Sequence, residues 1–155
     1  MVAGIDFANA KCIVEYGAGT GVFTWEILQK RSPDTIVIIF EMNEAFCRVL
    51  NEKYGDEPNV YIVNDSAATV AEQLQKYGLS HADYVVSGLP FASLPGEVSE
   101  EILRQTRKCL VQGGEFITFQ YTLFKKELFE GFFDEIEISR REWRNIPPAY
   151  VLRCR

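Results

Sequence analysis

The sequence predicts an α/β domain: a mainly parallel sheet of seven strands, helices on both faces, and an antiparallel hairpin at the C-terminal end. Three observations carry that expectation. Short apolar runs alternate along the chain with stretches of helical period. The run from Thr35 to Phe40 is apolar and β-branched without a break, which suits a central strand covered on both faces. The last two strand-like segments are joined by a short polar stretch with no crossover helix, so they should pair antiparallel.

Taken in order, Cys12-Ile13-Val14-Glu15-Tyr16 is the first strand. It meets a glycine turn and then a helix over 20–31, where Phe23, Ile27 and Lys30 share one side and Trp25 and Leu28 widen the apolar face. Ser32-Pro33-Asp34 breaks that helix ahead of the second strand, Thr35 to Phe40. Asn43 is placed to cap a helix over 44–53 with Phe46, Val49 and Leu50 at core spacing, and residues 55–58 end it. Val60 to Val63 is the third strand, a helix lies near 69–77, and Ala82 to Ser87 is the fourth strand. After the turn-rich stretch 88–96, Ser99 is expected to cap a helix that points Ile102, Leu103, Thr106 and Leu110 inward and closes at Gly113-Gly114. Glu115 to Tyr121 is the fifth strand, a short helix falls near 122–130, and the hairpin is formed by 133–139 and 149–154.

Length and composition fit one domain: 155 residues, 47% of them hydrophobic, bury a core without disulfides or metals. The net charge of −6 disfavours nonspecific nucleic-acid binding, which depends on phosphate neutralisation by Lys and Arg. The acidic excess is confined to residues 1–139; the terminal stretch carries Arg140, Arg141, Arg144, Arg153 and Arg155 against Glu142 alone. That basic edge suits a lipid headgroup, an anionic membrane or an RNA backbone, or is simply a solvated surface. Cys12, Cys47, Cys109 and Cys154 sit far apart in apolar runs and read as buried reduced thiols, and His81 reads as a loop residue, so no metal site is expected. With no long apolar span and no signal peptide, a cytoplasmic location is expected.

The strongest local signal is Glu15-Tyr16-Gly17-Ala18-Gly19-Thr20-Gly21, set between a strand and a helix. Glycines let the backbone turn tightly beside a ligand, and the helix N-terminus presents unpaired N–H groups, so a nucleotide is the expected guest. The dinucleotide fingerprint would need glycine or alanine where Val22 stands. The observed spacing, GxGxG after an acid, resembles instead the S-adenosylmethionine loop of class I methyltransferases, whose Rossmann-like sheet likewise has seven strands ending in a hairpin. The resemblance implies S-adenosyl-L-methionine as cofactor, contacted by Glu15, Tyr16, Gly17, Gly19, Thr20 and Gly21. It also implies that Glu41, in Phe40-Glu41-Met42-Asn43 about 20 residues beyond Gly21, accepts the ribose hydroxyls with Met42 beside it. Asp65 and Ser66, in Asn64-Asp65-Ser66, would meet the adenine; an ordinary turn or capping role for Asp65 stays open.

Ser87-Gly88-Leu89-Pro90-Phe91 follows the fourth strand, with Ser87 assigned to the cofactor and Gly88, Leu89, Pro90 and Phe91 to the acceptor. In adenine N6-methyltransferases the comparable loop resembles Asn/Asp-x-Pro-Tyr/Phe, but Gly88 occupies the polar position, leaving a Leu-Pro-Phe shelf able to stack a planar ring. Together with Phe119-Gln120-Tyr121 and Trp143-Arg144-Asn145-Ile146-Pro147-Pro148-Ala149, this segment resembles bacterial phospholipid N-methyltransferases, a family similar in its core to the rRNA adenine dimethylases. That resemblance implies methylation of an amine on a lipid such as phosphatidylethanolamine, with peripheral contact at the inner face of the membrane. Tyr121 and Tyr16 are the candidates for aligning the amine or relaying its proton. Only Met1 to Lys11 precede the first strand, so membrane contact would fall to Phe124, Leu128, Phe129, Phe132 and Trp143 with the arginine edge, although burial tendencies favour a core role for these aromatics. Two other functions remain open: an RNA or DNA adenine N6-methyltransferase, and a noncatalytic S-adenosylmethionine-binding module.

Overall fold

Among the described residues seven strands form, Cys12–Tyr16 (β1), Ile36–Phe40 (β2), Val60–Val63 (β3), Ala82–Ser87 (β4), Leu110–Gln120 (β5), Ile136–Arg141 (β6) and Ala149–Cys154 (β7), of which β2 and β3 consist wholly of β-branched and aromatic residues. The computed structural model describes residues 2–123, 125–141 and 149–155, and the side chains of all these but Arg140 and Arg141. The strands form a single sheet in the order β3-β2-β1-β4-β5-β7-β6. The first five pair in parallel, while β7 enters antiparallel between β5 and β6. This is the predicted mixed sheet.

Alternation along the strands divides the core in two. On one face Cys12, Val14, Tyr16, Ile38, Phe40 and Phe116 pack against Val70 and Leu74 of α3 (Val70–Lys76), Ile102 and Leu103 of α4 (Gly96–Cys109), and Phe129 of α5 (Lys126–Glu130). On the other, Ile13, Val37, Ile39, Val86 and Ile117 pack against Ile27 of α1 (Val22–Lys30) and Leu50 of α2 (Glu44–Tyr54). Helices thus cover both faces. Asn43 caps α2 as expected, its side-chain oxygen accepting from the N–H groups of Ala45 and Phe46.

Several local expectations are corrected. Trp25 and Phe46 are exposed, and Thr24 and Cys47 take the inward positions on α1 and α2. Helix α4 starts at Gly96, behind Pro95, so Ser99 lies buried inside it and does not cap it. The glycines expected to close that helix belong to β5, which begins at Leu110. The pairing of β4 with β5 shifts register there, from Ala82 opposite Leu110 to Tyr84 opposite Glu115, so Gly113 and Gly114 make a bulge rather than a helix stop.

The arginine edge is partly used within the fold. Arg153 donates to Glu115 and to the carbonyls of Ala3 and Gly4, tying the N-terminal segment to β7, and Arg155 pairs with Glu115, Glu135 and Glu137. Of the aromatic docking candidates, Phe129 is core and Leu128 and Phe132 pack against it. Phe124, Trp143, Arg144, Asn145, Ile146, Pro147 and Pro148 lie outside the described residues. The four cysteines are free and buried, and desolvation pushes the thiols of Cys12, Cys109 and Cys154 up to about 12.

Phe116 is fully buried, stacked on Phe133 at 5.6 Å between ring centroids and edge-on to Phe91 at 6.1 Å. Phe116→Ala should cost roughly 3–5 kcal/mol, the usual cost of an emptied aromatic site. Urea unfolding should show a lowered midpoint with an unchanged slope.

Candidate functional site

Every loop that leaves the carboxyl edge of β1, β2, β3, β4 and β5 carries a residue of interest, and the order in which successive strands are added reverses between the parallel neighbours β1 and β4, the usual place for a ligand in an open parallel sheet. The loops after β1, β2 and β4 are fastened to one another. The Gly17 N–H donates to the Phe40 carbonyl (2.8 Å) and the Gly88 N–H to the Tyr16 carbonyl (2.9 Å). A Cβ on Gly88 would stand 3.1 Å from the Gly17 carbonyl, and one on Gly17 would stand 2.8 Å from Leu89. These glycines are there because two loops cross at backbone distance.

Glu41, just past β2, binds both neighbours. Its Oε2 accepts from the Gly19 N–H (2.8 Å) and its Oε1 from the Asn43 N–H (2.9 Å). The Asn64 amide donates to the carbonyls of Glu41 and Met42, fixing this turn from the β3 side. Each carboxylate oxygen keeps a lone pair for a further donor. Gly19, at φ 58°, faces open space where a Cβ would point, so the glycine loop is bare on its outer side.

Two clefts meet at Gly17. The smaller, about 130 Å³, runs between Glu41, Met42, Asp65 and Ser66 on one side and Leu89, Leu94 and Val98 on the other. Asp65 Oδ1 accepts from the Ser66 N–H, which leaves Oδ2 without a hydrogen bond among the described residues, and the Ser66 hydroxyl accepts from the Ala68 N–H and so caps the 3-10 turn Ala67–Thr69. The larger cleft, about 580 Å³, is lined by Gly17, Gly88, Pro90, Ser93, Gln120 and Tyr121, with Val22, Phe23 and Glu26 of α1 opposite.

Most of the expected site residues come together here, and several side chains do not. Tyr16 is fully buried on the far face of β1, its hydroxyl 2.9 Å from Thr106 Oγ1 and its ring edge-on to Phe40. Burial raises its phenol well above the ordinary tyrosine range. A proton-relay role for Tyr16 therefore does not stand; only its backbone reaches the site. Phe91 is likewise buried, edge-on to Phe116 and Phe129, so the supposed ring shelf is reduced to Leu89 in the smaller cleft and Pro90 in the larger. The Ser87 hydroxyl is buried and accepts from the Leu89 N–H, holding the loop rather than lining a cleft. Thr20 is exposed, its carbonyl accepting from Lys53, and Gly21 packs against Leu50 and Tyr54 of α2.

Glu15 sits under the glycine loop, completely buried on the α1 side of β1. Thr24 donates to its Oε2, and Oε1 has no partner among the described residues. Burial raises its carboxyl from the usual 4.5 to about 7, with the Thr24 hydrogen bond opposing and the nearby Glu41 charge adding to the shift. Sequence reasoning missed Val22, Phe23, Glu26, Phe119 and Gln120. For the first three the signal was the helical period itself, which puts residues one and four positions apart on one cleft-facing side of α1.

The sheet order, with β7 inserted antiparallel beside β5, is that of the S-adenosylmethionine-dependent methyltransferases. Solved structures share it: an rRNA methylase from Streptococcus thermophilus, 14% identical, at TM-score 0.72 over 92% of this chain and 84% of that one. Aeropyrum pernix fibrillarin with natively bound S-adenosyl-L-methionine matches at 0.72 and 16% identity, over 92% of this chain and 66% of its own. The family model for ribosomal RNA adenine dimethylase matches residues 2–129, and the chain belongs to that family. The ornithine lipid N-methyltransferase of Singulisphaera acidiphila is 36% identical over 156 residues, covering 99% of this chain and 80% of its own. The protein is an S-adenosylmethionine-dependent methyltransferase, and S-adenosyl-L-methionine is its cofactor.

Because the folded state holds the Glu15 proton up to about 7 while the unfolded chain releases it near 4.5, the stability that this proton confers is complete below about 4.5 and is lost as pH rises through about 7. The shift corresponds to about 3 kcal/mol at most. Glu15→Gln, which carries no ionisable proton, should gain stability relative to the parent between pH 5 and 8. Parallel pH–stability curves for the two proteins would show that Glu15 is not the group titrating.

Proposed function

We propose that this enzyme transfers a methyl group from S-adenosylmethionine to the amine nitrogen of a membrane lipid headgroup. The relative that supports this reading is named for N-methylation of a lipid and aligns over 99% of the chain. The cleft chemistry agrees. The position that would carry an amide or carboxylate for an adenine amine is Gly88, whose place is set by its contact with the glycine loop, and the aromatic that would stack a base is buried as Phe91. What remains is a roomy cleft with an apolar wall. Phosphatidylethanolamine and ornithine lipid both offer the required amine.

The cofactor fits the smaller cleft by its donor and acceptor set. The bare glycine loop over Glu15 would back its methionine part, the spare lone pairs of Glu41 would receive the ribose hydroxyls, Met42 would pack on the adenine, and Asp65 Oδ2 would accept from the exocyclic amine, with Ser66 alongside. When bound, the cofactor supplies an electrophilic methyl group on a sulfonium. The chain's task is then alignment and exclusion of water: it would hold the neutral amine in line with that methyl group and leave the amine's proton a path to solvent. Tyr121, exposed at the mouth of the larger cleft, is placed to orient the amine. No helix among the described residues is long and apolar enough to cross a membrane. Peripheral contact would use the exposed Val22 and Tyr121 of that cleft, with the exposed Trp25 three residues beyond Val22 on α1.

Glu41→Ala should weaken binding of S-adenosylhomocysteine by more than about tenfold, measured by calorimetry, because it removes an acceptor and frees the glycine loop together. For the acceptor, the enzyme is incubated with labelled S-adenosylmethionine and, separately, vesicles containing phosphatidylethanolamine, vesicles containing ornithine lipid, and rRNA. Label should enter a lipid; label in RNA alone would replace this reading with adenine methylation.

A further inference from the structure

The geometry points to Glu26, with the rings of Phe23, Phe119 and Tyr121, as a cation-binding subsite that receives the amino group of the acceptor. This rests on the larger cleft being the acceptor site, as read above. Glu26 lies one turn beyond Val22 on α1, so both line the cleft while Thr24 and Ile27 of the same helix turn to the sheet. Other carboxylates at this edge are already engaged: Glu15 by Thr24, Glu41 by Gly19 and Asn43, Asp65 by the Ser66 N–H. Glu26 is half-buried and has no hydrogen bond or ion pair with any described residue. Among the described residues it is the one carboxylate in the lining of this cleft, which includes no Lys, Arg or His.

The wall beside it is aromatic. Phe23 and Phe119 lie 6.1 Å apart at an interplanar angle of 56°, and Tyr121 stands edge-on to Phe119 at 5.3 Å. Ring faces attract cations through their quadrupole, and more strongly where water is displaced. A guest that displaced water from such a wall would leave the carboxylate unpaired unless the guest itself were cationic. The combination favours an ammonium over a neutral base and disfavours an anion. It also tolerates progressive methylation: a primary ammonium donates hydrogen bonds to the carboxylate, and a quaternary one, with no N–H left, is still held by charge and rings. Before each transfer the ammonium gives up one proton through water to solvent, Glu26 serving to bind and position it.

The test is binding of tetramethylammonium, a cation with no N–H, in the presence of saturating S-adenosylhomocysteine, followed by ligand-observed saturation-transfer NMR. The parent should bind it, Glu26→Gln should weaken it by about tenfold or more, and Glu26→Asp should recover part of the loss. Affinity for S-adenosylhomocysteine should be the same in all three, which separates loss of the subsite from loss of the fold. In turnover with the amine lipid, Glu26→Gln should raise KM by about tenfold and change kcat far less. No tetramethylammonium binding by the parent, or equal binding by Glu26→Gln, overturns the inference. Glu26-dependent cation binding in an enzyme that labels only RNA would sink the lipid reading and leave the subsite standing. Lipid labelling with an unchanged KM in Glu26→Gln would do the reverse.

Discussion

Three loops at the carboxyl edge of the sheet touch through their backbones, and the rest of the site is arranged around that contact. β1 lies between β2 and β4, so the chain leaving it passes both neighbouring loops within hydrogen-bond reach. The Gly17 N–H reaches across to β2, the Gly88 N–H reaches back to β1, and the Gly19 N–H is taken by Glu41. A Cβ at Gly88 would crowd the Gly17 carbonyl, and one at Gly17 would meet the Leu89 side chain. Because they cross without side chains between them, the two clefts share Gly17 as a common wall. Two ligands placed in those clefts would meet beside the bare Gly17 backbone, the kind of close approach a direct group transfer needs.

The same contact limits how an acceptor can be recognised. A Cβ at position 88 would crowd the Gly17 carbonyl at 3.1 Å, and with glycine there the loop after β4 offers no polar side chain at this position to select an acceptor. The remaining lining is supplied by α1 and by the end of β5, elements whose cleft-facing residues are Val22, Phe23, Glu26, Phe119, Gln120 and Tyr121. Gln120 is itself committed, donating to Thr118 and to the Leu89 carbonyl, and Lys125 holds the carbonyls of Phe91 and Leu94. The loop after β4 is therefore pinned from below, and α1 offers the chemically distinctive group.

Strand and helix identities were legible because each has its own period, and β1, β3, β4 and β7 fall where the apolar runs end. The glycine loop and Glu41 were legible because their spacing is local. What the sequence left hidden was the direction of side chains on strands buried on both faces. Tyr16 and Glu15 are adjacent and both fully buried, yet Tyr16 joins the α4 side with Thr106 and Glu15 the α1 side with Thr24. Continuous burial erases the alternation that would have told them apart. Phe91 was misread for a related reason: it follows a loop motif, but the cluster of Phe116, Phe129 and Phe133 that captures it comes from residues distant in sequence. Gly113-Gly114 imitates a helix stop because a β-bulge and a helix end both need a residue at positive φ, and only the pairing with β4 distinguishes them.

Two glutamates associated with α1 show how environment divides one chemical group between two tasks. Glu15 is sealed between β1 and the helix, with one hydroxyl donor and one oxygen unpartnered, and there the neutral form is favoured up to about 7. A carboxyl that is neutral over much of the working range contributes little field to the loop above it, and its hydrogen bond to Thr24 chiefly fixes the seat of the helix under Gly21. Glu26 stands on the opposite side of the same helix, half-buried, where water still reaches the carboxylate and no donor among the described residues pairs with it. Removing that water with an apolar guest would strand the charge, whereas an ammonium would replace the water with a counter-charge. Burial thus gives one acid to structure, while partial exposure leaves the other facing the cleft proposed to receive an amine.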